Sequence, residues 1–476
     1  MPYRGKMAPQ ATTCERRTEA VHQLPKLRTR VRFPSLARSH PGRSGIGVCY
    51  CRTVANVAVV GAGYVGLTTA ACLAHLGHNV RCSDVQAERV QALAAGHVPI
   101  VEDGLEGLVR ENLAAGRLAF GTSNPWAVED AAFTFLCVPT PQSADGRADM
   151  SYVEGVAREI GPHLNAESVV VNKSTVPVGS TKVVERSLQR PDVPVVSNPE
   201  FLREGSAVHD FLHPDRIVIG ADNEPVALKV AGLFLRTSAP LVVTDPATAE
   251  TIKYASNAFL ATKVSFINAI AALCEVVGAD VRQVVLGMGS DHRIGAEFLK
   301  PGPGWGGSCF PKDTMALVRI AEDAGYDFSL LKGVIAVNEE QYDRVVAKAE
   351  RLAGSSLEGA RVGLWGLTYK ARTDDLRSSP ALHIAARLRS KGATVQAYDP
   401  TVRAPLDGID VRADPYAACE GARVLIVCTE WDDFRWLDFD KVGSLMAHKA
   451  LVDARNLLEP SALRRAGFSY EGIGAR

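Results

Sequence analysis

The sequence predicts an α/β protein: two Rossmann-like doubly wound domains joined by a central helical domain suited to dimerisation. Three observations predict it. A buried-strand run, Val54 to Val60, leads straight into Gly61-Ala62-Gly63-Tyr64-Val65-Gly66 and an apolar helix. After Gly354 a strand–helix–strand rhythm begins again. Between the two lies a long helical pattern, Ala247 to Val277, free of Pro and Gly. The expected division is a basic leader over 1–53, a dinucleotide-binding domain over 54–246, a helical domain over 247–353 and a second nucleotide-binding domain over 354–476.

Size and composition allow this. The chain has 476 residues, 46% hydrophobic and 22% charged, with 53 basic and 53 acidic side chains. A balanced charge gives no general attraction to nucleic acid or to an anionic membrane. No uninterrupted apolar run reaches the ~18 residues of a membrane span, so none is expected. The ten cysteines are scattered, with Cys49 and Cys51 only a C-x-C, so a reduced, cytoplasmic protein without a metal site is expected. The first 52 residues differ, carrying eleven Lys or Arg against two Glu and no hydrophobic period. An organellar transit segment and a basic binding tail both suit that composition. The favoured reading is a coding start placed too early, with the true beginning near Val54.

The glycines at 61, 63 and 66 fit a phosphate-binding turn because they follow a strand and open a helix. Gly61 and Gly63 permit the tight turn and close backbone approach to a pyrophosphate, whose charge the helix N-terminus stabilises. The second strand, Asn79 to Ser83, ends at Asp84, 18 positions after Gly66. Asp84 would accept hydrogen bonds from ribose hydroxyls and so favours NAD over NADP. Arg89 would line the adenine side; it would equally accommodate a 2′-phosphate. Further strands at Ala132–Val138 and Ser168–Asn172 each end in a loop of functional type, Pro139-Thr140-Pro141 and Ser174-Thr175-Val176-Pro177. Strand carboxyl ends are where doubly wound sheets bind ligands, so these loops belong at the cofactor. Pro194–Ser197 leads into Asn198-Pro199-Glu200-Phe201-Leu202-Arg203-Glu204-Gly205, where Glu200 and Glu204 would share a face if the segment is helical.

The central pattern carries Lys253 and Asn257 on one face of an otherwise apolar rod. Such a helix belongs between domains or against a second subunit, and its buried polar groups need partners. Arg282 to His292 reads as a helix and turn, followed by Arg293. Then comes Pro301 to Asp313, P-G-P-G-W-G-G-S-C-F-P-K-D, whose first seven residues hold four glycines and two prolines. That composition makes a loop whose main chain can lie against a bound molecule. Pro311 suits the first turn of a following helix and Asp313 its positive end. Cys309 should therefore sit at a helix N-terminus near Lys312, and both influences favour a nucleophilic thiolate.

In the last third, strands read at Arg361–Trp365, Thr394–Tyr398, Ala422–Cys428 and Ala450–Val452, with a helix from Pro380 to Ser390. Gly366-Leu367-Thr368-Tyr369-Lys370 replaces the glycine fingerprint, so this domain would bind a nucleotide in another way. The active site would lie between the two domains, with the Pro301–Cys309 loop reaching into the cleft.

In order along the chain, G-A-G-Y-V-G, V-P-T-P, K-S-T-V-P-V-G, N-P-E-F-L-R-E-G, the K-x-x-x-N helix, G-x-G-W-G-G-S-C-F-P-K-D and G-L-T-Y-K-A-R-T-D-D-L-R-S-S-P resemble the UDP-glucose/GDP-mannose dehydrogenases. The similarity runs from about Val54 to Gly467, and S-C-F-P-K-D is most similar to the branch acting on UDP-glucose. The resemblance implies oxidation of a hexose primary alcohol by two NAD, through a thiohemiacetal and thioester on Cys309. It implies that Lys253 and Asn257 hold the reacting oxygen, that Asp313 positions water and moves protons, and that Glu200 and Thr175 serve hydrolysis. Glu204, Lys312 and Arg377 become cofactor contacts by the same resemblance. For the sugar nucleotide it implies Phe201, Leu202, Phe298, Leu299, Lys300, Gly302, Gly306, Lys370 and Arg455. Arg293 resembles an arginine that reaches a neighbouring subunit's substrate, implying a homodimer or larger homo-oligomer.

Overall fold

The computed structural model describes residues 54–143 and 146–474; the basic leader lies outside the described residues. Eight strands form the first sheet: β1 Asn56–Val60, β2 Asn79–Ser83, β3 Leu118–Gly121, β4 Phe133–Leu136, β5 Val169–Asn172, β6 Val195–Ser197, β7 Ile217–Gly220 and β8 Leu241–Thr244. Their order is β3-β2-β1-β4-β5-β6-β7-β8. All pairs are parallel except β6 and β7, which meet only at Ser197 and Gly220. β1, β4 and β5 are almost wholly buried, which explains the predominance of Val, Phe and Leu in them.

The second sheet has six parallel strands: β9 Arg361–Trp365, β10 Thr394–Tyr398, β11 Ile409–Val411, β12 Val424–Val427, β13 Ala450–Asp453 and β14 Ser469–Gly472. They run β11-β10-β9-β12-β13-β14, the order that the first six strands follow in the first sheet. Both sheets therefore reverse direction beside their first strand, and each presents a crevice at its carboxyl edge. The expected pair of doubly wound sheets is the observed fold.

Helix α1, Tyr64–His75, follows β1. Helix α2, Pro246–Val277, is 32 residues long; Asp245 caps it by accepting the Thr248 N–H, and Gly278 ends it at φ +79°. The helices α3 (Val281–Gly289), α4 (Phe310–Asp323) and α5 (Ser329–Leu352) complete the middle of the chain, and α6 (Pro380–Ser390) follows β9. One end of α2 is fixed to the first sheet: the Glu250 carboxylate accepts N–H bonds from Gly179 and Thr181 and the Thr181 hydroxyl. A Cβ on Gly220 would lie 2.5 Å from that of Ala249. The other end belongs to the second sheet. Ile267, Ala271 and Cys274 share a core with Val281, Val345, Leu364, Ile384 and Val452. There Lys348 pairs with Glu275 at 2.8 Å, and Glu275 also accepts the Gly474 N–H.

By length and hydropathy alone α2 would suffice to cross a bilayer, which counting uninterrupted apolar runs did not predict. Its buried side carries Glu250, Lys253, Asn257 and Asn268, and its outer side exposes Phe259, Phe266 and Leu273. Two further expectations are corrected. Residues 198–206 contain no helix, so Glu200 and Glu204 do not share a helical face. Helix α5 and strands β3, β7, β8, β11 and β14 were not anticipated.

Candidate active site

Cys309 stands at the N-cap of α4. The glycine-rich loop before it is held by buried amides. The Gly302 N–H donates to Asn268 and the Trp305 N–H to Asn338, while Gln341 donates to the Gly302 carbonyl. A Cβ on Gly304 would lie 2.7 Å from the Tyr342 ring, and one on Gly306 only 2.0 Å from the Ser378 carbonyl. So glycine is required at 306 by contact with the second sheet's loop, and any ligand contact there falls to main chain.

Around the thiol, Lys253 and Glu200 form a buried ion pair at 2.7 Å, and Asn257 donates to Asp313 at 2.6 Å. The i, i+4 spacing on α2 brings Lys253 and Asn257 to one place, as expected. Lys312 turns to Asp313 at 2.6 Å. The thiolate expectation is overturned in this state. Burial pushes the Cys309 thiol up to about 11; Lys253 pulls down, but Glu200 and Asp313 add to the rise. Burial would also raise Glu200, yet Lys253, the Leu202 N–H and Lys173 together hold it below the usual carboxylate range. Burial opposes the charge on Lys253 too, and Glu200, Cys309 and Asp313 outweigh it, leaving the ammonium raised.

At the carboxyl edge of β1, Gly61 adopts φ +101°, and a Cβ there would lie 2.7 Å from the Cys137 carbonyl. A Cβ on Gly66 would fall 1.8 Å from the Gly61 carbonyl, whereas the space at Gly63 is open. Helix α1 begins without a side-chain cap or an acidic residue in its first turn, so its leading N–H groups remain available. An open approach at Gly63 over an uncapped helix start fits a dinucleotide pyrophosphate. Asp84 accepts the Ala62 N–H at 2.8 Å and pairs with Arg89 at 3.3 Å, which directs Arg89 to the carboxylate. The Thr140 hydroxyl donates to the Thr175 carbonyl and Ser174 to Val138, tying the two cofactor loops together. Val65 packs half-buried in the turn. Tyr64 donates to Glu102, a residue that no motif flagged; Glu102 also accepts the N–H groups of Gly205 and Ala207.

Glu204 bridges the cleft. It accepts from Ser308 at 3.1 Å and pairs with Arg377 at 3.2 Å, while Arg377 also holds Asp375 at 2.7 Å. Burial first, then the neighbouring Asp375, pushes Glu204 up to about 7. Phe201 lies under Arg216, whose guanidinium is 3.6 Å from the ring centre, and Leu202 packs against the first sheet's core. Leu299 is buried in the second core, Phe298 takes φ +62°, and Lys300 is exposed. The Leu299 side chain is thereby committed to packing. Arg455 donates to the carbonyls of Cys428 and Tyr369 and so braces the loop bearing Lys370. Arg293 is exposed and pairs with Asp291.

Comparison with known proteins comes to the same place. The NAD binding domain of the UDP-glucose/GDP-mannose dehydrogenase family matches residues 55–237, its central domain 247–340 and its UDP binding domain 363–460. A UDP-glucose 6-dehydrogenase of Rhizobium meliloti is 46% identical over 434 residues, covering 88% of this chain and 99% of that protein. One from Pseudomonas aeruginosa is 44% identical over 440 residues, covering 88% and 97%. The solved UDP-glucose dehydrogenase of Pyrobaculum islandicum superposes with a TM-score of 0.83 at 39% identity, covering 91% of this chain and all of that one. Matched by three consecutive family domains and by relatives along nearly their whole length, the chain belongs to the UDP-glucose/GDP-mannose dehydrogenase family.

Proposed function

We propose that this protein oxidises carbon six of UDP-glucose twice, giving UDP-glucuronate, as a UDP-glucose 6-dehydrogenase. The observation that carries this reading is Cys309 at the start of α4, beside the buried Lys253–Glu200 pair and the Asn257–Asp313 bond. A thiol has no task in a single alcohol oxidation; it has one when an aldehyde must be kept and oxidised again. NAD, whose pyrophosphate the Gly61–Gly66 turn would cradle and whose ribose Asp84 would meet, supplies the hydride acceptor for both oxidations.

The chain's own groups supply the rest. Lys253 and Asn257 hold the reacting oxygen, and Lys253 offers positive charge where an alkoxide develops. The Cys309 sulfur bonds to carbon six of the aldehyde as its proton passes to the cleft's bases, giving a thiohemiacetal. A thiol held up to about 11 is protonated at rest, so it needs that base at the moment of attack. After the second oxidation the carbon is a thioester. A water, ordered by Thr175 and Asp313 and deprotonated through Glu200, bonds to that carbon; the C–S bond breaks and Cys309 regains a proton. One alcohol and one water thus give one carboxylate, two hydrides and three protons.

Main chain from Phe298 to Gly304, with Lys300, Lys370 and Arg455, would hold the UDP portion, and Glu204, Lys312 and Arg377 would face the cofactor as the cleft closes. We divide the chain into functional units at 54–246, 247–353 and 354–476. Phe259, Phe266 and Leu273, seven residues apart on the outer side of α2, form an apolar stripe suited to the same stripe of a second copy. Arg293 would then reach the partner's site. The decisive experiment is NADH formed per nucleotide sugar consumed at completion, with GDP-mannose and UDP-N-acetylglucosamine alongside. Two NADH per UDP-glucose supports the reading. One means that the aldehyde leaves and Cys309 is misassigned.

A further inference from the structure

Lys173, the first residue after β5, is buried, and among the described residues no carboxylate is bonded to it. Its ammonium donates to the Asn198 side-chain oxygen at 3.0 Å and lies 5.8 and 5.9 Å from the rings of Phe211 and Phe234. Asn198 in turn donates to the Val218 carbonyl at 2.7 Å, and its own N–H donates to the Asn172 carbonyl. Glu200 follows two residues later. Three bonds therefore anchor the turn that carries Glu200, and the ammonium is one of them. Burying such a charge is costly, and a neutral side chain would fill the same space between two aromatic rings without that cost. Stability does not explain a lysine here.

We propose that Lys173 is a positioning residue for the hydrolytic step: it holds the Asn198–Glu200 turn and sets a second positive charge behind the Glu200 carboxylate. The inference rests on the reading of Glu200 as the group that activates water. In that step the water oxygen bonds to the thioester carbon, its proton leaves through Glu200, and the carbon–sulfur bond to Cys309 breaks. Glu200 is faced by Lys253 from α2, by Lys173 from the end of β5, by Cys309 at the start of α4 and by Cys137 after β4. Of these only the two lysines favour the ionised carboxylate that the step needs. Lys253 is also engaged by the reacting oxygen in the earlier steps of that reading, whereas the Lys173 ammonium is bonded to Asn198 and flanked by the two rings. Burial lowers Lys173 to about 8, with Lys253 adding to the fall and Cys137 and Glu200 opposing it, so the charge persists at neutral pH and fades above it.

The test uses the full chain with Lys173→Met, Lys173→Gln and Glu200→Gln, and the Lys173→Met/Glu200→Gln double variant. For each, kcat and KM against pH, melting temperature, and the mass of the chain during turnover are measured. Expected for Lys173→Met is a kcat lower by about tenfold with KM for UDP-glucose nearly unchanged. The acid limb of its kcat profile should move to higher pH, and a covalent adduct should accumulate on Cys309. Its melting temperature should fall by no more than the loss of the one Asn198 bond accounts for, and that of Lys173→Gln should match the parent's. Lys173→Gln, which keeps a donor for Asn198 without the charge, should also leave the KM near the parent's and should not restore the acid limb. In the Glu200→Gln background, Lys173→Met should cost nothing further, because both act through one group. A lowered melting temperature in both lysine variants, or failure of both to fold, would make Lys173 structural and overturn the proposal. So would additive losses in the double variant. Should Glu200→Gln itself accumulate no adduct, the reading of Glu200 fails first; an adduct in Glu200→Gln without one in Lys173→Met defeats only the role of Lys173.

Discussion

At the scale of single residues, Cys309 was legible from its loop and helix start, but its resting state was not. A sequence shows that Lys312 is next to Asp313; it does not show that the ammonium turns to that carboxylate or that the thiol is desolvated. The consequence is measurable. Thiolate is the species that iodoacetamide alkylates, and the fraction present rises with pH through the thiol's own value. Cys309 in the ligand-free protein should react slowly at neutral pH, and its rate should still be climbing well above the usual thiol range, towards about 11. A rate that levels off near pH 8 would mean that the neighbouring carboxylates count for less than Lys253. Cys309→Ser should lower complete turnover by on the order of 10³-fold or more, since removal of a nucleophile disables the whole set that serves it. NADH released per UDP-glucose in that variant would show whether the first oxidation survives.

Elements with one strong pattern were read within a residue or two. β9, β10 and α6 carry the expected bounds because short, mostly buried runs, a Pro start and flanking glycines mark them. The missed elements lack such marks. α5 buries Asn338, Gln341 and Lys348 among its apolar positions, so its inner face does not read as a hydrophobic stripe. Those buried amides are spent on the glycine loop, a use that only the fold reveals. β8 is a four-residue edge strand, too short for a period to stand out. Gly306 shows the same limit. Glycine there was attributed to a ligand, and the structure assigns it to the Ser378 carbonyl. Gly306→Ala should therefore destabilise the protein by about 1–3 kcal/mol, the cost of forcing an added methyl into a packed contact. The denaturation midpoint would register it without substrate present. Unchanged stability with a raised KM would return Gly306 to the sugar nucleotide.

At the scale of the whole molecule, α2 joins everything: its first turns are fixed to one sheet, its last to the other, and its outer side is left apolar. If that stripe meets a second copy, Phe266→Asp should give a species at the 50.9 kDa mass of one chain by light scattering, with activity lost to the extent that Arg293 serves the partner. A folded, fully active monomer would sink that arrangement. The cleft itself carries a pH dependence. Glu204, from the first sheet's side, sits with Asp375 and Arg377 from the second, and its carboxyl is pushed from 4.5 up to about 7. Below about 4.5 folded and unfolded chains both carry this proton. Between there and 7 the folded chain holds the proton that the unfolded chain has lost, so the contribution to stability falls as pH rises. Above 7 two carboxylates face each other across the cleft, and Arg377 and the Tyr369 hydroxyl oppose their repulsion. Glu204→Gln keeps the acceptor for Ser308 and removes the charge. Its melting temperature should match the parent's near pH 4.5 and exceed it increasingly up to about pH 7, above which the difference levels off. A Glu204→Gln protein less stable than the parent at pH 8 would show that the Arg377 ion pair outweighs the repulsion, and the cleft would then be closed by charge rather than by a proton.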